Sequence, residues 1–472
     1  MQSPGSLDPT PTAFLEHSVE GADEYNLLVE LIFNTGAYSY ESLYQSDLVG
    51  WAGLLGSFVA TSILCNRHPR IALALFLAVL ARTSAALLHY YVAPLPDGAG
   101  DANKFDLHAF GYSAQGLALI ISNFPGAGSN FYSWLMSLVY LITGRSFLLL
   151  QSISVFVGVL AVYATWLLGC EVWGQRAGRR AAWVMALFPT VVMYSALPMR
   201  EVYLTCLLLF GLLWVARWSR EGKVRQATWA LLLFGAGIFF HGSMFVVALT
   251  FMIVIASKMF WRGGQSLLRG RLSLTALAAL VIIGGGVLLW GLSGAYVDKL
   301  GGLAETFDLN RWVRFSQQKY YADGHAANVA VYPEWTAPET VGDLVWAIPL
   351  KAIYLLFSPF PWDIKTPVHL IGLIDGLLYF GLVIIIFRNI KTIWRNETAR
   401  TILLVILPFI FAYGIGTSNF GTSIRHRAKF AGVLIMLASF WLARLVIHRQ
   451  PTDSKNNTDQ LNHNISTGAT NK

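Results

Sequence analysis

The chain has 472 residues, 55% of them hydrophobic and only 13% charged. Soluble domains carry about 25% charged residues, so a soluble multidomain protein is excluded, and recurring apolar runs of roughly twenty residues indicate one membrane-embedded unit. The net charge of +8 does not point to nucleic acid, because the cations gather in short segments between apolar runs, the pattern that sets membrane topology.

The first 48 residues hold eight Asp or Glu and no Lys or Arg. Residues 1–46 therefore read as an acidic N-terminal segment, with an apolar patch (Leu27, Leu28, Val29, Leu31, Ile32, Phe33) too short to span a bilayer and suited to an interfacial helix. No basic n-region opens the chain, so no cleavable signal peptide is expected.

About eleven spans follow, near 47–66, 70–93, 147–170, 180–199, 202–218, 227–241, 242–258, 272–293, 366–387, 400–418 and 430–447. Each must be helical, since lipid satisfies no backbone polar group. Segments 129–144 and 344–361 are aromatic or proline-broken and suit helices lying in, or dipping into, one interface. Every second connection is basic: Arg67 and Arg70; Arg176, Arg179 and Arg180; Arg217, Arg220, Lys223 and Arg225; Lys258, Arg262, Arg269 and Arg271; Arg388, Lys391, Arg395 and Arg400. By the positive-inside rule these connections are cytoplasmic, which leaves loops 94–146, 294–365 and 419–429 outside. The expectation is an all-α, multi-pass protein of the cell membrane. Its membrane unit covers 47–448, and a disordered polar tail covers 449–472. Cys65, Cys170 and Cys206 are scattered without CxxC spacing, so neither a disulfide framework nor a zinc site is expected.

Chemistry is sought in the outer loops. The first contains Asp97, Asp101 and Asp106 within a Gly- and Pro-rich stretch. A carboxylate just beyond a span suits a general base or a metal ligand, although the same composition suits a solvated turn. The run Arg425-His426-Arg427-Ala428-Lys429 places cations against the positive-inside bias, and guanidinium forks suit phosphate oxygens. Ordinary lipid headgroups would attract the same charges. Segment 295–343 adds Arg311, Trp312, Arg314, Lys319, Tyr320 and Tyr321, a mixture suited to sugar stacking and phosphate contact or to interfacial anchoring. Within spans, Arg82 and Asp375 need partners; they are expected to pair with each other or to line the same polar cavity. His241 fits a structural histidine or a catalytic one.

The run Gly100-Asp101-Ala102-x-x-Phe105-x-x-x-Ala109 after an early span resembles the first-loop acidic motif of the GT-C superfamily of polytopic glycosyltransferases. Phe188-Pro189 through Arg200-Glu201 resembles the family's second-loop Pro-then-acid pattern, and Asn419-Phe420-Gly421 through Arg425-His426-Arg427 resembles the stretch before the last span of many bacterial members. Protein O-mannosyltransferases and aminoarabinose transferases belong to this superfamily. The resemblance implies transfer of a sugar from a polyprenyl-phosphate donor to a glycan, lipid or protein acceptor on the extracytoplasmic face. It implies Asp101 and Glu201 as catalytic residues and Arg425 and Arg427 as ligands of the leaving phosphate; from their residue types, His426, Lys429, Arg311, Arg314 and His241 join them as candidate ligands of substrate or lipid phosphate. A divalent metal is possible within the family, but Ala102 follows Asp101 where the family often has a second acid. A polysaccharide polymerase or O-antigen ligase using Arg and His, and a lipid-linked sugar flippase, are the competing readings; the second would usually show an internal repeat, and none is visible.

Overall fold

The computed structural model describes residues 47–96, 98–267, 305, 308–324, 330–366 and 368–442. The N-terminal interfacial helix, the span near 272–293 and the C-terminal tail lie outside the described residues. Among the described residues all elements are helical, and one isolated bridge joins Val331 to Asn419.

Helices α1 (Asp47–Arg67) and α2 (Ala72–Tyr91) form a hairpin. A π-helical turn at Gly98–Ala102 then feeds three short helices, α3 (Asn103–Ala114), α4 (Leu117–Ser122) and α5 (Phe131–Thr143). The Ser146 hydroxyl caps α6 (Phe147–Trp173) by accepting from the Leu149 N–H, and Gly174 at φ +87° ends it. Helices α7 (Gln175–Leu187) and α8 (Pro189–Ser195) precede α9 (Glu201–Glu221), α10 (Val224–Phe240) and α11 (Met244–Leu267). Beyond these come α12 (Leu309–Gly324), α13 (Leu344–Phe357), α14 (Val368–Arg388), α15 (Ile390–Arg395), α16 (Glu397–Ile415) and α17 (Phe420–Ala438).

Six helices among the described residues are long and apolar enough to cross a bilayer, and four shorter apolar ones accompany them. Burial separates their roles. The apolar windows of α6 and α9 are 72% and 78% buried, whereas those of α1 and α14 are 22% and 33% buried. The first two form the interior of the bundle, and the second two present their apolar side chains outward, as lipid contact requires. Small residues permit the tightest crossings: a Cβ on Gly169 would lie 2.8 Å from the Gly178 Cα, so α6 and α7 touch backbone to backbone.

Three expectations are corrected. The span near 180–199 is two helices, because Pro189 has no N–H for the Met185 carbonyl and the chain turns at Phe188. Arg82 does not pair with Asp375. Its guanidinium instead donates to the carbonyls of Ala186 (2.8 Å), Met185 (3.3 Å) and Ala78 (3.1 Å), capping the helix end that Pro189 leaves open. The last described helix begins at Phe420, ahead of the span expected near 430, so the basic run 425–429 is helical and not a loop. Its start is set by Asn419, whose Oδ1 accepts from the N–H groups of Gly421 and Thr422.

Candidate active site

Asp101 sits in the π-helical turn that opens α3. The turn packs on the end of α2, where a Cβ on Gly98 would fall 2.3 Å from His89 Cε1, so a larger residue would displace the imidazole. The same imidazole accepts from the Leu95 N–H through Nδ1 at 3.0 Å, which ties the loop to α2. Behind the turn, Asp106 on α3 is buried and receives Arg145 NH2 at 2.6 Å and the Tyr140 hydroxyl at 2.5 Å. Two anchors therefore fix where Asp101 lies.

Glu201 starts α9 and is 2% exposed. The preceding turn is held by Gln151, whose Nε2 donates to the Ala196 carbonyl at 2.8 Å, and by Arg200, which donates to the Phe240 carbonyl at 3.2 Å.

The first turns of α17 complete the cluster. Arg425 NH1 donates to Asp101 Oδ2, while its Nε lies 3.5 Å from Glu201 Oε1. Lys429, one turn further on, stands 3.6 Å from the same Glu201 oxygen and 2.8 Å from His426 Nδ1. Two carboxylates, each more than two hundred positions from its cations, thus interleave with a guanidinium and an ammonium. Asp101 keeps solvent access, with its side chain 40% exposed, and Arg425 retains 16%. An ammonium has no lone pair, so His426 Nδ1 is the acceptor in its contact with Lys429. His241 follows the same rule: its Nδ1 accepts from the Ser243 N–H at 3.2 Å and faces the Ser243 hydroxyl at 2.6 Å.

A cavity of about 270 Å³ adjoins this cluster, lined by Arg425, His426, His241, Ser243, Tyr413, Thr422 and, from α12, Trp312, Phe315 and Lys319. A second cavity of about 380 Å³ lies on the other side of α17's first turns. Its lining is mostly apolar and includes Met193, Tyr194, Pro359, Ile371, Ile374, Phe420 and Ile424. The start of α17 is therefore a partition. Thr422, Arg425 and His426 face the polar chamber, and Gly421 and Ile424 face the apolar one.

Of the residues singled out from sequence, Asp101, Glu201, Arg425 and Lys429 meet, and His426 and His241 join them at the polar cavity. Arg427 does not. It is fully buried on the opposite side of α17, with Nε 2.6 Å from Asp375 Oδ2 and its remaining N–H groups on the carbonyls of Ser358 (2.5 Å), Gly372 (2.9 Å) and Leu356 (3.4 Å). All three of its guanidinium nitrogens are engaged within the protein, so it ties α17 to α13 and α14. Arg311 and Arg314 lie on α12 but outside the cavity lining, paired with Glu305 at 3.7 Å and Asp308 at 3.1 Å. Their neighbours Trp312, Phe315 and Lys319 take the cavity positions instead. Sequence reasoning missed Tyr413, Thr422 and Ser243; nothing in an apolar run distinguishes a tyrosine that faces a chamber from one that packs.

Among the described residues, no group of three or more His, Cys, Asp or Glu side chains is arranged to hold a metal ion. The donor set fits a metal poorly on chemical grounds as well. Asp101 already holds a guanidinium, and Glu201 lies between two cations.

Residues 129–290 match the family model described as dolichyl-phosphate-mannose-protein mannosyltransferase. That interval contains Glu201 and His241 but neither Asp101 nor Arg425. No curated protein matches. Among solved structures, the chain is similar to the archaeal oligosaccharyltransferase AglB from Archaeoglobus fulgidus in complex with an inhibitory peptide and a dolichol-phosphate. There the identity is 15% and the TM-score 0.46, covering 86% of this chain and 53% of that one. It is also similar to the apo form of the Archaeoglobus fulgidus oligosaccharyltransferase, at 17% identity and TM-score 0.44, covering 84% and 52%. The chain thus spans about half the length of these structures.

Proposed function

We propose that this chain is a polytopic membrane glycosyltransferase of the GT-C superfamily that transfers a sugar from a polyprenyl-phosphate carrier to an acceptor hydroxyl at the extracytoplasmic surface. One observation carries the reading: Asp101, Glu201, Arg425 and Lys429 converge between a polar chamber and an apolar one. A carrier lipid with a charged head and an isoprenoid tail is complementary to that division.

In this reading Asp101 takes the proton of the acceptor hydroxyl, and the acceptor oxygen attacks the anomeric carbon. The bond from that carbon to the phosphate oxygen breaks, and the departing phosphate keeps the electron pair. Arg425, backed by Lys429, stabilises the charge that develops there. Glu201 holds both cations in place without touching substrate. Arrival of the donor draws the guanidinium towards the phosphate and frees the Asp101 carboxylate for the acceptor hydroxyl. The carrier therefore binds first. Acceptors are glycans, lipids or proteins of the cell envelope, and the protein resides in the plasma membrane.

Asp101→Asn keeps the size and the hydrogen bond to Arg425 but removes the base. With purified protein and polyprenyl-phosphate sugars, turnover is expected to fall about 10²–10⁴-fold; full activity in this variant refutes the reading. Because His241 and His426 share the chamber with Arg425, a histidine-dependent ligase or polymerase is the second reading. A large loss in His241→Ala beside an active Asp101→Asn would select it.

A further inference from the structure

We infer that Lys351 is a positioning residue that sets the α12 wall of the polar chamber. Lys351 lies in the apolar helix α13 with no exposed surface. Its ammonium donates to the Ser316 hydroxyl at 2.6 Å, the Ser418 hydroxyl at 3.0 Å and the Ile415 carbonyl at 3.4 Å. A charged group in an apolar helix is costly and is retained where it does something a leucine cannot.

Those three partners come from the segments that build the chamber. Ser316 is the residue after Phe315 on α12, the helix that contributes Trp312, Phe315 and Lys319 to the lining. Ile415 ends α16 beside Gly416, another lining residue. The Ser418 carbonyl accepts from the Tyr332 N–H at 2.9 Å, next to the bridge between Val331 and Asn419, and Asn419 caps the helix that carries Arg425. Ser316 and Ser418 are themselves buried. Close packing keeps Lys351 in reach: a Cβ on Gly414 would lie 2.8 Å from the Ala352 nitrogen, so α13 and α16 run in backbone contact at this level. One ammonium thus ties α12, the end of α16 and the approach to α17 to a single point.

The inference rests on the donor reading only for what the chamber holds. Hydrogen–deuterium exchange of the full chain in lipid nanodiscs tests the positioning itself. Lys351→Met is expected to raise exchange across 309–324 about ten-fold, with 147–173 and 201–221 unchanged. Unchanged exchange across 309–324 overturns the inference. If Lys351→Met loosens every helix, Ser316→Ala removes the α12 attachment alone, and the same comparison decides. Binding of undecaprenyl phosphate is the companion measurement, expected to weaken about ten-fold in the variant. If the wild-type protein does not bind that lipid, the donor reading fails while the exchange result still stands or falls by itself.

Discussion

Arg425 and Arg427 are two positions apart, yet their environments have almost nothing in common. Successive residues on an α-helix are rotated by about 100°, so the pair diverges by about 200° and looks out of opposite sides of α17. Arg425 keeps two carboxylates and a solvent path; Arg427 has Asp375, three carbonyls and the Tyr379 ring at 5.4 Å from its guanidinium carbon. Removing one partner of a buried pair strands the other charge, at about 3–5 kcal/mol. Arg427→Met is therefore expected to lower the unfolding temperature sharply. Asp375→Leu added to it should recover much of the loss, because neither charge is then left alone. Failure of the double variant to recover would show that the carbonyl bonds, not the ion pair, carry the stability. The sequence presents these arginines as one basic cluster, since hydropathy places a boundary near residue 430 and leaves the charged first turns of α17 outside it. Helical phase separates them, and phase is legible only once Asn419 is recognised as an N-cap.

At the level of elements, the spans were legible and their interruptions were not. Apolar runs locate α1, α2, α6, α9, α14 and α16 to within a few residues. The run near 180–199 hides a break because Phe188 and the residues after Pro189 are as apolar as a continuous helix would be. The unsatisfied carbonyls this creates explain Arg82, whose charge suggested Asp375 only because no other buried acceptor is visible in a sequence. The short loop helices have a chemistry of their own. Burial, and then the nearby Lys104, hold His108 on α3 below its ordinary value of 6.5. Protonation is thus disfavoured in the folded state, so its stabilising contribution is complete above pH 6.5 and is lost as pH falls towards the folded value. The unfolding temperature of wild type should drop more than that of His108→Gln between about pH 7 and pH 5; parallel curves would remove His108 as the cause.

For the whole molecule, the convergence of three distant segments is the result that matters for orientation. The turn carrying Asp101, the start of α9 and the start of α17 meet at one end of the bundle, while Arg217 and Arg220, at the other end of α9, gather on Glu171 at the end of α6. If the basic end faces the cytoplasm, a cysteine at Gly100 in a cysteine-free background is labelled by a membrane-impermeant maleimide in intact cells. One at Glu221 is labelled only after lysis. The reverse pattern would invert the topology and move the chemistry to the cytoplasm. Sequence alone could assemble this end of the molecule only through alternation of basic segments, a statistical property; the ion pairs now give it a physical basis.

The partition formed by the first turns of α17 also makes the site sensitive to rotational register in a way that composition would not suggest. Asn419 fixes the phase of the helix, and one inserted residue turns everything beyond it by about 100°. A single alanine added between Gly421 and Thr422 preserves every charge and nearly all hydrophobicity, yet it carries Ile424 towards the position Arg425 holds and swings the guanidinium off Asp101. Such an insertion is expected to abolish turnover as completely as losing Arg425 itself, whereas the same alanine placed in the turn before Asn419, at Ser418, leaves the cap to re-set the phase and costs far less. Comparison of the two insertions in one transfer assay separates a helix whose orientation matters from one whose composition suffices.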